Sequence, residues 1–217
     1  MWSELFDLFV TSLGETLVMV GISGVIGALL GVPLGVVLHL TDRGGPLSHP
    51  LFNRLIGVVV NAVRSIPFII LLVVVIPFTR FLAGSSIGTA AAVVPLTIAA
   101  IPFIARLVES ALREVDKGLV EAAQSMGAST GQIVWKVLLP EAMPGIVAGL
   151  TITFVSLVGY SAMAGAIGGG GLGDLGIRYG YQRYITEVMV AVVLILIVLV
   201  QAVQSFGDWL VRRISHR

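Results

Sequence analysis

Residues 17–40 read LVMVGISGVIGALLGVPLGVVLHL, a run of 24 residues with no acid, lysine or arginine. A helix rises about 1.5 Å per residue, and the hydrocarbon core of a bilayer is about 30 Å thick. A helix therefore needs about 20 apolar residues to cross that core. This stretch is long enough, so it predicts a membrane-spanning helix and a chain that folds in lipid.

The composition of the whole chain agrees with this first stretch. Of the 217 residues, 57% are hydrophobic and only 12% are charged, whereas soluble domains carry about 25% charged residues. This excludes a soluble enzyme, a nucleic-acid-binding module and a disordered chain. The absence of cysteine excludes disulfides, thiolate zinc sites and cysteine catalysis. The three histidines, His39, His49 and His216, are too scattered to predict a metal site.

Four further apolar stretches follow, at residues 55–78, 81–105, 142–166 and 188–207. The sequence therefore predicts an all-α polytopic membrane protein in which residues 1–217 form one transmembrane domain with five spans. Arg64 interrupts the second span. Because an arginine at the bilayer centre costs about 2.5–3.5 kcal/mol on insertion scales, it either reaches the inner interface or is buried against neighbouring helices.

The distribution of basic residues predicts the orientation. A cleaved signal peptide is disfavoured because residues 2–15 contain three acids and no basic residue. An outside amino terminus puts the carboxyl terminus in the cytoplasm and leaves three arginines outside, Arg80, Arg178 and Arg183. The other ten of the 13 basic residues are then cytoplasmic, as the positive-inside rule expects: Arg43, Arg54, Arg64, Arg106, Arg113, Lys117, Lys136, Arg212, Arg213 and Arg217. Aromatic residues are expected at both interfaces: Trp2, Phe6, Phe9 and Trp209.

Residues 106–141 form the longest break in the apolar pattern and are predicted to lie in the cytoplasm. Oppositely charged residues at 106, 109 and 113 lie on one helical face, so the third helix is expected to continue past the membrane. A short amphipathic helix follows, ended by Gly127 where a left-handed cap is favoured. Ser129 and Gln132 fit a capping box that starts a second short helix, and Pro140 is expected to end it. The prediction is a helix–turn–helix insert.

Two uses of this insert are compatible with its residues. An amphipathic hairpin can rest among lipid headgroups, but such anchors prefer large apolar side chains and several lysines. The small Ala122 and Ala123 beside the single acid Glu121 instead favour a helix that enters a groove of a cytoplasmic partner.

The spacing within the insert resembles that of a known family. Glu121-Ala122-Ala123, three residues, Gly127, nine residues, Val137, one residue and Leu139-Pro140 resemble the EAA loop of ABC importer permeases, with valine for the usual isoleucine. Residues 64–72 (RSIPFIILL), 76–80 (IPFTR) and 157–163 (LVGYSAM) are similar to stretches in the permeases of methionine import systems. The similarity extends over nearly the whole chain.

This resemblance implies a fold and an assembly. The fold is that of a type I ABC importer permease with a cytoplasmic coupling loop at residues 106–141, in a bacterial inner membrane. The assembly is a homodimer with two cytoplasmic ABC ATPase subunits and an extracytoplasmic methionine-binding protein, in membrane lipid and without nucleic acid. ATP and Mg²⁺ bind to the ATPase partner, so this chain is neither an enzyme nor a cofactor-binding protein. Glu121, Ala122, Ala123 and Gly127 match the ATPase-docking helix and its terminating glycine.

The same resemblance implies that the fourth span lines the translocation pathway, with a gate at Tyr160, Ser161 and Met163. Hydroxyls in a membrane also bond to neighbouring helices, and methionine also fills core gaps, so structural roles remain open for these side chains. The run Gly168–Gly171 is not a phosphate-binding loop, because it has no preceding strand and no following Gly-Lys-Ser/Thr. We expect it to let the chain leave the membrane and approach another backbone closely. The charged and aromatic residues at 174–184 form either an interfacial belt or an outer docking surface.

Other functions remain as alternatives. A permease of the same class for a different solute fits the same residues. An ion-coupled secondary transporter is less compatible, because such carriers place ionisable groups within the bilayer whereas the twelve acids here fall in loops or at span edges. An intramembrane enzyme would need paired carboxylates or a nucleophile triad, and neither pattern is present.

Overall fold

The computed structural model describes residues 2–215, with side chains from residue 5 onward. The predicted interfacial side chain of Trp2 and the predicted cytoplasmic position of Arg217 lie outside that description. Within residues 2–215 the ordered elements are all helical. The helices are α1 (Trp2–Thr41), α2 (Pro50–Ser65), α3 (Phe68–Val74), α4 (Ile76–Ala83), α5 (Thr89–Arg113), α6 (Lys117–Ser125), α7 (Thr130–Ile133), α8 (Leu139–Ala166), α9 (Gly171–Leu175) and α10 (Thr186–Ile214).

The described helices include four that are long and apolar enough to cross a membrane unaided. These are α1, α5, α10 and the continuous helix that contains α7 and α8. The pair α2 and α3 is also apolar and long enough in sum, but its members are bent by 105° relative to each other, so it is either a broken fifth span or a re-entrant loop. The predicted all-α polytopic fold is confirmed, with four continuous spans and this bent pair as the candidate for the fifth.

The break between α2 and α3 occurs at Ile66 and Pro67. Ile66 is extended, with φ −79° and ψ 123°, because proline disfavours the helical region for the residue before it. Pro67 has no amide hydrogen to continue the helix. Arg64 lies just before this break, with its guanidinium 5.8 Å from the ring centre of Phe103 on α5. The predicted second span of residues 55–78 is therefore two helices that meet at a sharp angle.

Helix bounds differ from the apolar stretches where charged residues or glycines intervene. The third predicted span started at residue 81, but α5 begins at Thr89, because Gly84 adopts φ +73° and ends α4 in a left-handed cap. At its other end α5 continues to Arg113. Charged residues end an apolar stretch without ending a helix, so the apolar pattern locates spans better than it locates helix ends.

Small residues on α1 let it pack closely along α5. Gly27, Gly31 and Gly35 share one face of α1, and a Cβ atom at Gly31 would lie 2.8 Å from the carbonyl oxygen of Ile101. Such close backbone approach is typical of helices that pack in a membrane, where van der Waals contact replaces the hydrophobic effect between helices. Helix α5 forms the centre of the bundle and contacts α1, α2, α4 and α8.

The bundle has two distinct ends. At one end α1 and α5 both finish, and Arg113 bonds to Asp42 at 2.9 Å. At the other end α5 begins and α8 finishes, and the amide of Gly88 donates to the carbonyl of Gly168 at 2.9 Å. The predicted coupling loop follows the first end, and the glycine run lies at the second.

Candidate functional site

The segment between α5 and α8 begins with a locally capped helix. The carboxylate of Asp116 accepts a hydrogen bond from the amide of Gly118 at 2.7 Å, which satisfies an otherwise free amide at the start of α6. On α6, Glu121 and Ala122 are exposed, whereas Ala123 is buried against the core. The helix therefore presents Lys117, Glu121 and Ala122 to solvent, while Ala123 on its opposite side packs against the bundle.

Gly127 ends α6 with the backbone geometry that the sequence predicted. Its φ is +79°, and the bonds from Gly127 N to Gln124 O and from Ala128 N to Ala123 O form a Schellman motif. A Cβ atom at Gly127 would meet nothing within 4 Å. The requirement for glycine here is therefore conformational rather than steric.

The predicted capping box at the start of α7 is confirmed. The side-chain oxygen of Ser129 accepts from the amide of Gln132 at 3.4 Å, and the side-chain oxygen of Gln132 accepts from the amide of Ser129 at 2.9 Å. Two free amides at the helix start are thereby satisfied by residues within one turn. The turn between α6 and α7 is consequently defined by its own sequence.

The expectation that Pro140 ends the second short helix is wrong. A π-helical turn, Val134–Leu138, joins α7 to α8, and the helix runs without interruption from Thr130 to Ala166, 37 residues. In an α-helix the ring of Pro140 would clash with the carbonyl four residues before it. The wider π turn, which bonds to the fifth residue instead, relieves that conflict. The insert is thus continuous with the fourth crossing.

One face of α8 is not packed within the chain. Ile152 and Met163 are both 47% exposed, and a Cβ atom at Gly159 between them would meet nothing within 4 Å. These positions recur at intervals of seven and four residues, which places them on one side of a helix. The predicted gate residue Met163 therefore lies on an open face of the fourth crossing.

The other two predicted gate residues lie on different sides of α8. Tyr160 is half-buried and stacks on Phe68, with ring centres 4.6 Å apart and planes 9° from parallel. Ser161 is buried, and its hydroxyl donates to the carbonyl of Val158 at 2.8 Å. Sequence reasoning missed Phe68, although its position directly after Pro67 marks it as the first residue beyond the bend of the second crossing.

The glycine run at the other end of the bundle approaches α1 closely, as expected. Gly168, Gly170 and Gly171 have positive φ. The amide of Gly171 donates to the carboxylate of Glu15 at 2.6 Å, and the amide of Leu172 donates to the hydroxyl of Thr16 at 2.9 Å. These amides are thus occupied by α1 side chains, which agrees with the exclusion of a phosphate-binding loop. Sequence reasoning missed both partners.

A buried carboxylate lies near the carboxyl-terminal end of α5. Glu109 is 2% exposed, and it bonds to Arg106 at 2.5 Å and to Arg113 at 2.7 Å. Two arginines thus compensate the buried charge, and removing both would leave Glu109 as an unpaired buried charge at high cost. The predicted charged face of this helix is confirmed. Glu109 is held in a structural ion network, which is unlike the exchangeable carboxylate of an ion-coupled carrier.

Among the described residues no group of three or more histidine, cysteine or acidic side chains is arranged to hold a metal ion. The segment from α9 to α10 carries two local charge contacts: Asp174 pairs with Arg178, and the guanidinium of Arg183 lies 4.4 Å from the ring centre of Tyr179. The candidate site therefore consists of the exposed surface of α6 and the open face of α8.

Comparison with known proteins extends these observations. Residues 21–216 match the family model described as the binding-protein-dependent transport system inner membrane component. The chain is 59% identical, over 97% of its length and 94% of the relative's, to a Vibrio cholerae protein named a probable D-methionine transport system permease. It is 54% identical over 158 residues, 73% of each chain, to an Escherichia coli protein named a D-methionine transport system permease.

Two solved structures of ABC transporters have a similar fold. A structure of the methionine ABC transporter MetNI in an inward-facing conformation superposes with a TM-score of 0.97 at 50% identity, covering all of both chains. An amino acid ABC transporter with histidines has a TM-score of 0.80 at 20% identity, with 98% of this chain and 96% of the other covered. The second likeness shows that the fold is shared by ABC transporters of different sequence.

Proposed function

The chain belongs to the family of inner membrane components of binding-protein-dependent transport systems, and on this premise we propose that it is the permease subunit of an ATP-driven methionine importer. One observation carries the proposal: 59% identity over nearly the whole chain to a protein named as a D-methionine permease. The chain itself is a transport subunit and not an enzyme. It translocates substrate by alternating access.

The working unit is a dimer of this chain with two cytoplasmic ATPase subunits and an external binding protein. ATP and Mg²⁺ bind to the ATPase subunits, which supply the energy. The inner-membrane chain has its amino terminus outside and its carboxyl terminus in the cytoplasm. The positive-inside rule supports this orientation, since Arg113 at the end of α5 and Arg43 beside Asp42 belong to the same end of the bundle.

Glu121, Ala122, Ala123 and Gly127 form the site at which an ATPase subunit docks. The exposed part of α6 is small enough to enter a groove, and its capped ends keep it in one orientation. Because the helix from Thr130 to Ala166 is continuous, a displacement of α6 and α7 by the closing ATPase subunits moves the whole fourth crossing. ATP binding is thereby converted into reorientation of the pathway.

The gate of the pathway is formed by Tyr160, Ser161 and Met163. Met163 on the open face of α8 meets its counterpart across the two-fold axis, while Tyr160 stacked on Phe68 and the buried Ser161 fix the rotation of this helix. Flexible methionine side chains suit a constriction that must close against a second copy of itself.

Met163→Ala is expected to raise passive leak of methionine and to reduce ATP-driven uptake, because truncation widens the constriction. Ile152→Ala is the matched control, since Ile152 lies on the same face with the same exposed fraction of 47%. Both are measured in sealed proteoliposomes with and without ATP. Equal leak in the two variants would place the gate elsewhere.

The function itself is tested by reconstitution. The chain, its ATPase subunit and its binding protein are assembled in proteoliposomes, and uptake of labelled D- and L-methionine is followed. We expect uptake that requires ATP and the binding protein. Uptake driven by an imposed proton gradient without ATP would favour a secondary carrier, and ATP-driven uptake of another solute alone would favour a different substrate.

A further inference from the structure

A polar cavity of about 320 Å³ opens between the start of α2, the α1–α2 connection and α5. Its lining includes Arg43, Arg54 and Arg106 together with the amides of Asn53 and Asn61. Asn53 is fixed at its mouth, since its side-chain nitrogen donates to the carbonyl of Leu38 at 2.6 Å and to the hydroxyl of Thr41 at 3.0 Å. The cavity is thus a fixed depression between helices.

The cavity has an uncompensated positive charge. Its one acid, Asp42, bonds through a carboxylate oxygen to Arg113, which lies outside the lining. Arg43 and Arg54 form no ion pair with any side chain of residues 5–215. Arg43 and Arg54 therefore bring positive charge to the cavity without a paired carboxylate among residues 5–215, whereas Arg106 is paired with Glu109.

Arg106 lines the cavity from α5. One of its terminal nitrogens bonds to Glu109 and the other donates to the carbonyl of Gly57 at 3.1 Å. Its Nε atom is buried within the chain and has no partner among the residues described, so it does not reach the cavity. Arg106 is therefore a fixed wall of the cavity, whereas Arg43 and Arg54 are exposed and unpaired within residues 5–215.

The surroundings of the cavity are apolar and open. Leu51, Leu55 and Val58 are 66%, 59% and 60% exposed, and their spacing puts them on one side of α2. Leu47 on the preceding connection is 54% exposed. The arginine-lined cavity therefore borders a stripe of exposed apolar side chains, which is suited to contact with hydrocarbon chains.

We propose that this cavity binds the headgroup of an anionic phospholipid from the cytoplasmic leaflet, with its phosphate between Arg43, Arg54 and Arg106 and its acyl chains along α2. Basic pockets between transmembrane helices on the cytoplasmic side are suited to such headgroups. The phosphate oxygens accept from the exposed guanidinium groups of Arg43 and Arg54, while the apolar stripe distinguishes a lipid from a free phosphate ion. This inference depends on the orientation proposed above but not on the transported substrate.

The test is a binding titration on the full transporter complex in detergent, followed by native mass spectrometry. The probes are phosphatidylglycerol, phosphatidylcholine with the same acyl chains, and inorganic phosphate. We expect phosphatidylglycerol to bind most tightly. Arg54→Gln should weaken its binding about fivefold, and Arg43→Gln with Arg54→Gln about 25-fold. Arg212→Gln, which removes an exposed charge from the end of α10, is the control and should change nothing.

Three results would overturn the proposal. Equal binding of the two lipids would show that the headgroup charge is not recognised. Binding of inorganic phosphate as tight as that of the lipid would assign a soluble-anion site instead. Equal loss in the Arg54→Gln and Arg212→Gln variants would show that only overall charge matters. Because binding is measured without transport, these outcomes are independent of the uptake experiment.

Discussion

The short helices at the two ends of the bundle are held in different ways. At the end where α1 and α5 finish, the ends of α6 and α7 are defined by contacts within a few residues: the cap at Asp116, the Schellman turn at Gly127 and the capping box of Ser129. At the opposite end, α9 is held by Glu15 and Thr16, 156 residues away in the chain.

The difference indicates what each end is required to do. A segment that defines its own shape can move as a unit against a partner without losing structure. A segment whose amides are satisfied by another helix must stay where that helix is. We therefore expect α6 and α7 to keep their local shape when they are displaced together with α8, with which α7 is continuous, whereas the start of α9 depends on its contacts with α1.

The largest effect is expected from Gly171→Val, which breaks the outer attachment. The residue has φ +76°, and a Cβ atom would lie 2.7 Å from both Thr16 Oγ1 and Met19 Cε. Backbone strain of about 1–2 kcal/mol and overpacking of about 1–3 kcal/mol should lower the stability of the fold. Thermal unfolding in detergent measures the loss. Gly14→Val is the control, because a Cβ atom there meets nothing within 4 Å; equal melting temperatures would refute the long-range attachment.

An intermediate effect on stability, but a strong one on transport, is expected from Gly127→Val. The positive φ of Gly127 is what opposes the new side chain. The substitution should therefore lower the free energy of unfolding by about 1–2 kcal/mol. The chain should still insert and assemble, while the altered angle between α6 and α7 lowers ATP-driven uptake about tenfold or more. Gly131→Val, in the same segment without positive φ or near neighbours, is the comparison. Unimpaired uptake by Gly127→Val would show that the turn does not set coupling.

The smallest effect on stability is expected from Ser129→Ala, which removes one of the two hydrogen bonds of the capping box. Loss of such a cap costs about 1 kcal/mol and acts only on the start of α7, so the amide of Gln132 should exchange its hydrogen about fivefold faster. Ser125→Ala removes a hydroxyl that bonds only within α6 and should leave that amide unchanged. A lowered melting temperature of the whole protein would contradict the local character of this cap.

The same contrast explains how much could be predicted from the sequence. The capping box and the turn at Gly127 involve neighbouring residues, so their spacing alone predicted them. The membrane-crossing helices were predicted from the length of the apolar stretches. The Glu15–Gly171 bond and the stacking of Phe68 on Tyr160 depend on which helices pack together, and one sequence without tertiary contacts does not carry that information.

The error at Pro140 has a different physical origin. Proline ends most helices because it conflicts with the carbonyl one turn earlier. The rule fails here because the preceding turn, Val134–Leu138, is a π turn. No local pattern in the apolar residues distinguishes a wider turn from a helix end. Whether the helix continues past Pro140 depends on tertiary packing, in which Ile133 and Leu138 are buried in the core.

The unbroken helix from Thr130 to Ala166 also fixes an angular register. Each residue of an α-helix turns the chain by about 100°, so inserting one residue between Ser129 and Met163 would rotate the methionine by more than a quarter turn relative to the docking element. The π turn already contains one residue more than a regular turn. A single deletion within 134–138 would convert it to a regular turn and leave the phase of the helix beyond it nearly unchanged, whereas a deletion elsewhere in the helix would rotate everything beyond it by about 100°. Transport by this chain is therefore sensitive to the number of residues in that helix as well as to their identity.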